Sequence, residues 1–281
     1  MSRTFLVRLI AVGLLSLGSW VAYTQNPPAP AQLTLEKVKD DLYVIVGDGG
    51  NVAVYVTSEG VILVDDKFER NHTDILAKVK SVTDKPVKYV LNTHQHGDHT
   101  GGNEKLLPTA EILIHRNARA NMVSAKMPGV PRIAFADEAE VVLGGKAVRS
   151  RHFGRGHTNG DAFVYFPALK VLHTGDMSTS TPPFIDYSNG ASAIEWTKTL
   201  DKVLQSDWDF DTVIPGHGPV WKKEDLLKYR QRFEAMRDRV SSLTRSGKTK
   251  EDVSQMLTSE FGWAAASVAR WVEPIMAELK R

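Results

Sequence analysis

The sequence contains no cysteine among its 281 residues. A disulfide framework and a thiolate metal site are therefore both excluded, and a bound metal would have to use His, Asp or Glu. The sequence also lacks basic runs and alternating basic and aromatic residues, so we expect no nucleic-acid partner. We expect the substrate to be a small molecule instead.

The excess of basic over acidic residues is small, with 35 Lys and Arg against 33 Asp and Glu. Arg3 and Arg8 lie in an N-terminal segment that we expect to be removed, and this segment contains no acidic residue. The remaining chain is then close to neutral, which gives no reason to expect a polyanionic partner. With 42% hydrophobic and 24% charged residues, the composition is typical of a globular protein with one large domain or two modest ones.

Residues 1–31 have the pattern of a secretory signal peptide. Two arginines precede an apolar stretch at residues 9–23, and Ala29-Pro30-Ala31 offers a cleavage site with small residues. The apolar stretch is shorter than the about 20 residues that a membrane-spanning helix needs, although an uncleaved anchor is the alternative. We therefore expect a periplasmic or secreted protein with no membrane contact beyond this segment.

Short runs rich in Val, Ile and Tyr, separated by turn residues, predict strands. These strands are expected at residues 33–38, 42–47, 51–57, 61–65, 87–92, 111–115, 140–143, 147–153, 162–166, 171–173 and 212–214. Apolar residues at helical intervals predict helices. These helices are expected at residues 71–81, 117–126, 191–205, 222–245 and 263–280, with a further short helix starting at residues 248–250.

Two blocks of strands, each covered by helices, predict an α/β fold. The predicted architecture is a four-layer αβ/βα sandwich over residues 32–221, which opens into a cleft where the sheet edges meet. Residues 222–281 are expected to form a C-terminal helical extension that packs on the sandwich.

The densest group of metal-binding side chains is His94-Gln95-His96-Gly97-Asp98-His99, which follows the strand predicted at residues 87–92. His94 and His96 can face the same way only in an extended backbone, because a helix turns residues two apart by about 200°. Gly97 then permits a turn, so Asp98 and His99 begin a new element and can also point inward. Imidazole combined with a carboxylate is typical of catalytic zinc sites.

This stretch resembles the H-x-H-x-D-H signature of the metallo-β-lactamase-fold hydrolase superfamily. The resemblance implies three further metal ligands, and it extends over about residues 33–221. The matching motifs are Gly156-His157-Thr158-Asn159-Gly160-Asp161, Gly175-Asp176 and Pro215-Gly216-His217-Gly218.

The resemblance implies a centre with two Zn²⁺ ions, although iron or a mixed metal pair is compatible with the same ligands. Three residues would bind one ion and three the other. They are His94, His96 and His157 for the first ion, and Asp98, His99 and His217 for the second. Asp176 would bridge the two ions, and the nucleophile would be a hydroxide between the metals.

Three carboxylates have roles implied by the same resemblance. Asp98 and Asp176 are the residues we assign to catalysis, because they hold the ions that activate water. Asp65, at the end of the strand predicted at residues 61–65, would support the metal loop by hydrogen bonding rather than by binding metal.

Asp176 also narrows the expected reaction, because lactamases of the superfamily place Cys or Ser at this position. The site is therefore similar to those of glyoxalase II, lactonases and related hydrolases. We expect a dizinc hydrolase that cleaves an amide, ester, thioester or lactone bond, with β-lactam hydrolysis as one candidate activity. Arg155 and Tyr187, on loops near predicted ligands, are the candidates for binding substrate.

Two alternatives stay open. One is an enzyme similar to persulfide dioxygenases, which keep H-x-H-x-D-H but bind a single iron ion through two His and one Asp. The other is a metal-binding protein that keeps the fold without turnover. Metal analysis separates the first alternative from the dizinc hydrolase.

Overall fold

The computed structural model describes residues 32–280, so the signal peptide predicted at residues 1–31 lies outside the described residues. Seven strands form the first sheet in chain order: β1 (Thr34–Lys39), β2 (Leu42–Val46), β3 (Val52–Val56), β4 (Val61–Val64), β5 (Val87–Asn92), β6 (Glu111–His115) and β7 (Ile133–Phe135). Strands β1 to β4 form an antiparallel meander, whereas β4 to β7 run parallel.

Parallel neighbours need crossover connections, and helices supply them. These helices are α1 (His72–Lys80), α2 (Gly97–Thr100), α3 (Asn103–Leu106) and α4 (Arg116–Ser124). Because β4 and β5 are parallel, the residues that follow them emerge at the same edge of the sheet. Asp65 after β4 and Thr93 after β5 are therefore neighbours.

The second sheet contains β8 (Glu138–Leu143), β9 (Lys146–Arg151), β10 (Phe163–Phe166), β11 (Val171–His173), β12 (Thr212–Ile214) and β13 (Trp221–Lys222). Its spatial order is β13-β12-β11-β10-β9-β8. Strands β11 and β12 run parallel, so the loops that follow them also share one edge. The sequence analysis does not predict β7 or β13, which have three and two residues.

The two sheets pack face to face, and helices cover their outer faces. Tyr55 from the first sheet meets Phe166 from the second in the shared core, with ring centroids 5.3 Å apart. Ile75 of α1 packs on the outer face of the first sheet. Trp196 of α5 (Ala193–Leu204) does the same on the second. The four-layer αβ/βα sandwich predicted from the sequence is confirmed.

Four helices follow the sandwich: α6 (Lys223–Arg245), α7 (Lys250–Phe261), α8 (Ala265–Val268) and α9 (Val272–Leu279). The prediction of one helix at residues 263–280 is wrong. Pro274 lies in the first turn of α9, and it has no N–H with which to continue a helix from α8. Helix α6 packs against α5, α7 and α9, while the predicted boundary at residues 221 and 222 stays a prediction. Among the described residues, no helix combines the length and apolar character needed to span a membrane.

Candidate metal centre

The loop after β5 supplies four of the predicted ligands. His96 is extended, with φ −64° and ψ 147°, and α2 begins at the next residue. This change from extended to helical backbone is the one that the spacing of the motif predicts. The loop also needs a glycine opposite it, because a Cβ atom on Gly50 would lie 2.2 Å from Cε1 of His99.

The remaining three predicted ligands come from the second sheet. His157 lies in the loop between β9 and β10, Asp176 follows β11 and His217 follows β12. Gly216 allows the last two to approach, since a Cβ atom there would lie 2.0 Å from Oδ1 of Asp176. All seven predicted ligands therefore lie at the same edge of the sandwich.

His94, His96 and His157 direct ring nitrogens to a common point. Nδ1 of His96 lies 3.2 Å from Nε2 of His94 and 2.9 Å from Nε2 of His157. Nε2 of His157 lies 3.6 Å from Oδ2 of Asp176. We call His94, His96, His157 and Asp176 the first group.

Asp98, His99 and His217 form the second group. Oδ2 of Asp98 lies 3.3 Å from Nε2 of His217 and 3.7 Å from Nε2 of His99. Oδ1 of Asp176 lies 3.2 Å from Nε2 of His99 and 3.4 Å from Nε2 of His217. The two carboxylate oxygens of Asp176 therefore face different groups. Oδ2 lies toward the histidines of the first group and Oδ1 toward those of the second.

These separations fit a pair of metal ions. Tetrahedral ligand atoms that are each about 2.0–2.1 Å from a zinc ion lie about 3.3 Å from one another. Nε2 of His99 and Oδ1 of Asp176 are buried and have no hydrogen-bond partner in the described part of the chain. Buried polar atoms without a partner are costly, and a cation between the two would satisfy both. The donor set of imidazoles and carboxylates thus fits two divalent cations.

The outer nitrogens of His96 and His157 are held by hydrogen bonds. Nε2 of His96 lies 2.8 Å from Oδ2 of Asp186, and Nδ1 of His157 lies 2.6 Å from the carbonyl oxygen of Phe184. Because a carboxylate and a carbonyl oxygen only accept, we assign the ring protons to these outer nitrogens. The lone pairs of the inner nitrogens then face the centre of the first group, as metal binding requires.

Asp65 fixes one histidine in each group. Its Oδ2 lies 2.8 Å from Nδ1 of His99 and accepts from the Thr93 hydroxyl at 2.7 Å. Since the Thr93 hydroxyl proton is directed to Asp65, its oxygen accepts from Nδ1 of His94 at 3.0 Å. Asp65 is fully buried and is not a member of either group of potential ligands.

The electrostatic character of the two groups differs. Burial lowers the pKa of His157 to about 4, so its ring is neutral at physiological pH. Burial also acts to lower the pKa of His217, but Asp176 and Asp98 more than reverse this effect and raise it to about 9. The pKa of Asp98 falls to about 2 despite burial, chiefly because His99 is close. Asp98 and the shared Asp176 therefore favour a positive charge beside the second group.

Two buried residues that the sequence analysis does not identify support the second group. Nζ of Lys67 donates to the carbonyl oxygen of Gly50 at 2.5 Å, which holds Gly50 against His99. Nδ2 of Asn51 donates to backbone carbonyl oxygens on both sides of His217, at 2.9 and 2.8 Å. Burial lowers the pKa of Lys67 to about 8. No local motif marks these residues, because their partners are distant along the chain.

The two residues predicted to bind substrate do not join the cluster. The hydroxyl of Tyr187 donates to Oε2 of Glu278 at 2.6 Å, so the structure connects Tyr187 to α9 rather than to the metal ligands. The role of Tyr187 in substrate binding stays a prediction. Arg155 is exposed, with a 3.5 Å hydrogen bond to the carbonyl oxygen of Gly190, and its role in substrate binding stays a prediction.

The cluster is open to small molecules. A cavity of about 420 Å³ lies beside the second group, and His217, Asn51, Thr181 and Glu36 are part of its lining. Beside the first group, the side chain of Phe184 is 39% exposed, with its ring centroid 5.7 Å from that of His96. The volume is in the range of ordinary small-molecule sites.

Comparisons with known proteins identify relatives of the chain. Residues 45–217 match the family described as the metallo-β-lactamase superfamily. The chain is 29% identical to the metallo-β-lactamase type 2 of Bacillus cereus over 181 residues, which cover 63% of this chain and 70% of that protein. It is 27% identical to the β-lactamase-like protein 2 homolog of Caenorhabditis elegans over 255 residues, which cover 84% of this chain and 82% of that protein.

The fold has solved counterparts as well. The metallo-β-lactamase from Pontibacter korlensis superposes with a TM-score of 0.65 at 21% identity. The superposition covers 72% of this chain and 99% of that one. At this level of identity the likeness shows the shared fold alone.

Proposed function

The chain belongs to the metallo-β-lactamase superfamily, and we propose that it is a zinc-dependent hydrolase with two metal ions in its His and Asp cluster. The bond cleaved is an amide, ester, thioester or lactone bond of a small molecule. The proposal rests on the position of the Asp176 carboxylate, which has one oxygen toward each group. A carboxylate placed in this way can hold two cations about 3.5–4 Å apart.

Each ion would have three ligands of its own and share Asp176. The proposed ligands are His94, His96 and His157 for one ion, and Asp98, His99 and His217 for the other. Zinc bound there would lower the pKa of a water molecule to about 7 and polarise the carbonyl group of the substrate.

The protein contributes a rigid and correctly protonated set of ligands. Asp65 and Asp186 accept hydrogen bonds from outer ring nitrogens, which orients the rings before an ion binds. Asp98 and Asp176 neutralise only part of the charge of two divalent ions. The site therefore favours a substrate on which negative charge develops, as it does on a carbonyl oxygen under attack.

The cavity beside the second group supports neutral esters and lactones over β-lactams as the preferred substrates. Its described lining contains Glu36 and no Lys or Arg. The carboxylate carried by most β-lactams would find no side-chain cation there, and Glu36 would repel it. β-Lactam hydrolysis is then a side activity, even though relatives of the chain are called β-lactamases.

The two groups also argue against a mononuclear iron enzyme. A single ion would use the first group and leave Asp98, His99 and His217 without the cation that their arrangement favours. We also propose, from the signal pattern at residues 1–31, that the protein acts in the periplasm or outside the cell. Fractionation of the producing cells, with the mature N-terminus determined by mass spectrometry, tests this location.

The test of the function combines metal counting with a substrate panel. Purified protein is analysed for zinc and iron and is assayed on an aryl ester, a lactone, a thioester and a chromogenic cephalosporin, with and without a chelator. We expect two zinc ions per chain, chelator-sensitive hydrolysis, and faster turnover of the neutral substrates. One iron per chain with no hydrolysis would instead support an oxygenase.

A further inference from the structure

Glu278 of α9 is hydrogen bonded to the segment of residues 184–193, which also contacts the histidines of the first group. Its carboxylate accepts from the Tyr187 hydroxyl at 2.6 Å, from the Ser192 hydroxyl at 2.5 Å and from the backbone N–H of Ala193 at 2.9 Å. Helix α5 begins at Ala193, so the carboxylate also lies at the N-terminal end of that helix. The free N–H groups and the helix dipole both favour a negative charge at this place.

The residues just before Tyr187 carry the acceptors of two predicted ligands. The Phe184 carbonyl oxygen accepts from Nδ1 of His157, and Oδ2 of Asp186 accepts from Nε2 of His96. The backbone N–H of Asp186 also donates to the carbonyl oxygen of His157 at 3.1 Å. Two of the three histidines of the first group therefore rest on residues 184–186.

Asp186 is itself fixed within the same segment. Its carboxylate accepts from the Ser188 hydroxyl and, at 2.6 Å, from the side-chain amide of Asn189. Its carbonyl oxygen accepts from the N–H of Ala191 at 3.1 Å. The segment is thus a compact turn, and Glu278 is hydrogen bonded to it at Tyr187 and Ser192.

We propose that Glu278 is a positioning residue for the first metal ion, which makes the C-terminal helices part of the metal centre. The inference rests on the proposed dizinc function and adds a residue to it. Glu278 lies 61 positions after His217 and outside the residues, 45–217, that match the superfamily. It acts through Tyr187 and Asp186, and it does not touch the ion or the substrate.

The test measures how tightly each of the two zinc ions binds. Stepwise zinc affinities of the full chain are determined by competition with a chromogenic chelator for the wild type, Glu278→Ala and Glu278→Gln. Loss of a residue that is hydrogen bonded directly to a metal ligand costs about 10–100-fold in metal affinity, and Glu278 acts indirectly, so the low end of this range applies. We expect Glu278→Ala to weaken one zinc ion about 10-fold and to leave the other within 2-fold. Glu278→Gln, which keeps an acceptor oxygen, should recover part of that loss.

Three further variants separate positioning from general damage. Glu273→Ala removes an exposed carboxylate from the same helix, where it pairs with Lys250 rather than with the metal-supporting segment, and it should change neither affinity. Tyr187→Phe removes one hydrogen bond and should weaken the same ion less than Glu278→Ala does. Asp186→Asn supplies the scale of the effect, because it alters the direct partner of His96.

The double variant Glu278→Ala with Asp186→Asn tests whether Glu278 acts through Asp186. If Glu278 acts through Asp186, its loss should add less than 2-fold once Asp186 has been changed. Equal weakening of both ions, a full additional loss in the double variant, or unchanged affinities in Glu278→Ala would each overturn the inference. If the wild type binds two ions and Glu278→Ala is unchanged, the inference alone is wrong. If the wild type binds no zinc, the proposed function is wrong as well.

Discussion

The two groups of ligands are supported largely by different parts of the chain. In the first group, His96 and His157 are hydrogen bonded to Asp186 and Phe184, in a segment attached to the C-terminal helices. The third histidine, His94, is held through Thr93 by Asp65. The second group rests on Asp65 and on the loop that contains Gly50, which belong to the first sheet. In the first group, burial lowers the pKa values of His94 and His157, whereas Asp98 and Asp176 lie beside His217 of the second group and raise its pKa. We infer that the two ions can be weakened separately, and that Asp176 is the residue they share.

Replacing the shared residue should have the largest effect. Asp176→Asn removes a negative charge and one strong ligand oxygen from both ions. Because changes outside a metal site already cost about 10–100-fold, we expect activity to fall more than about 100-fold and both zinc affinities to decrease. Asp74→Asn, an exposed change on α1, serves as the control and should be neutral. Loss of only one ion in Asp176→Asn would show that the carboxylate does not bridge.

Replacing one histidine in each group should divide the effects. His157→Ala should remove the first ion and His217→Ala the second, because each ring belongs to one group. Each variant should retain about one zinc ion per chain, measured by plasma mass spectrometry after gel filtration. His72→Ala, a partly exposed histidine on α1, should retain two. If either active-site variant lost both ions, the two groups would not be independent.

Acidification should affect the second ion first. His217 has its pKa raised to about 9 in the metal-free protein, so at lower pH a proton occupies the nitrogen that zinc must bind. Asp176 and Asp98 also raise the pKa of His99 well above its usual value despite burial, so a second proton competes with this ion. Below these pKa values, affinity for the second ion should fall at least tenfold for each pH unit. His157, with its pKa lowered to about 4, carries no such proton above pH 5. Zinc titrations between pH 8 and pH 6 should therefore show one affinity that changes steeply and one that changes much less, and parallel changes would contradict this.

The smallest effect should come from replacing Lys67, which supports the loop beside the second group. Lys67→Met removes the hydrogen bond that holds Gly50 against His99. We expect about 3–10-fold weaker binding of the second ion, with the first unchanged, since the contact is indirect. Lys88→Met, an exposed change on β5, is the matched control. Weaker binding of the first ion in Lys67→Met would show that Lys67 supports the first group and not the second alone.

The sequence predicts the sandwich and the ligand cluster well, because both depend on local patterns. Strand composition marks the two sheets, and the residues after strands carry recognisable motifs around His94, His157 and His217. Because β4 and β5 are parallel, as are β11 and β12, short motifs far apart in sequence arrive at one edge. The break between α8 and α9 could have been read from Pro274.

The supporting residues could not be predicted in the same way. Asp186, Glu278 and Lys67 follow no motif, and each acquires its role from a partner that folding brings near. Tyr187 illustrates the difference, since nothing in its local sequence indicates that its hydroxyl is bonded to Glu278 of α9. The direction of a side chain depends on tertiary packing, which single-sequence patterns do not report.

Anomalous diffraction from crystals grown with zinc, recorded on both sides of the zinc absorption edge, is the most direct test. The account predicts two peaks about 3.5–4 Å apart, one near each oxygen of Asp176. One peak would be among His94, His96 and His157, and the other among Asp98, His99 and His217. A single peak, or none at these side chains, would contradict the dinuclear centre.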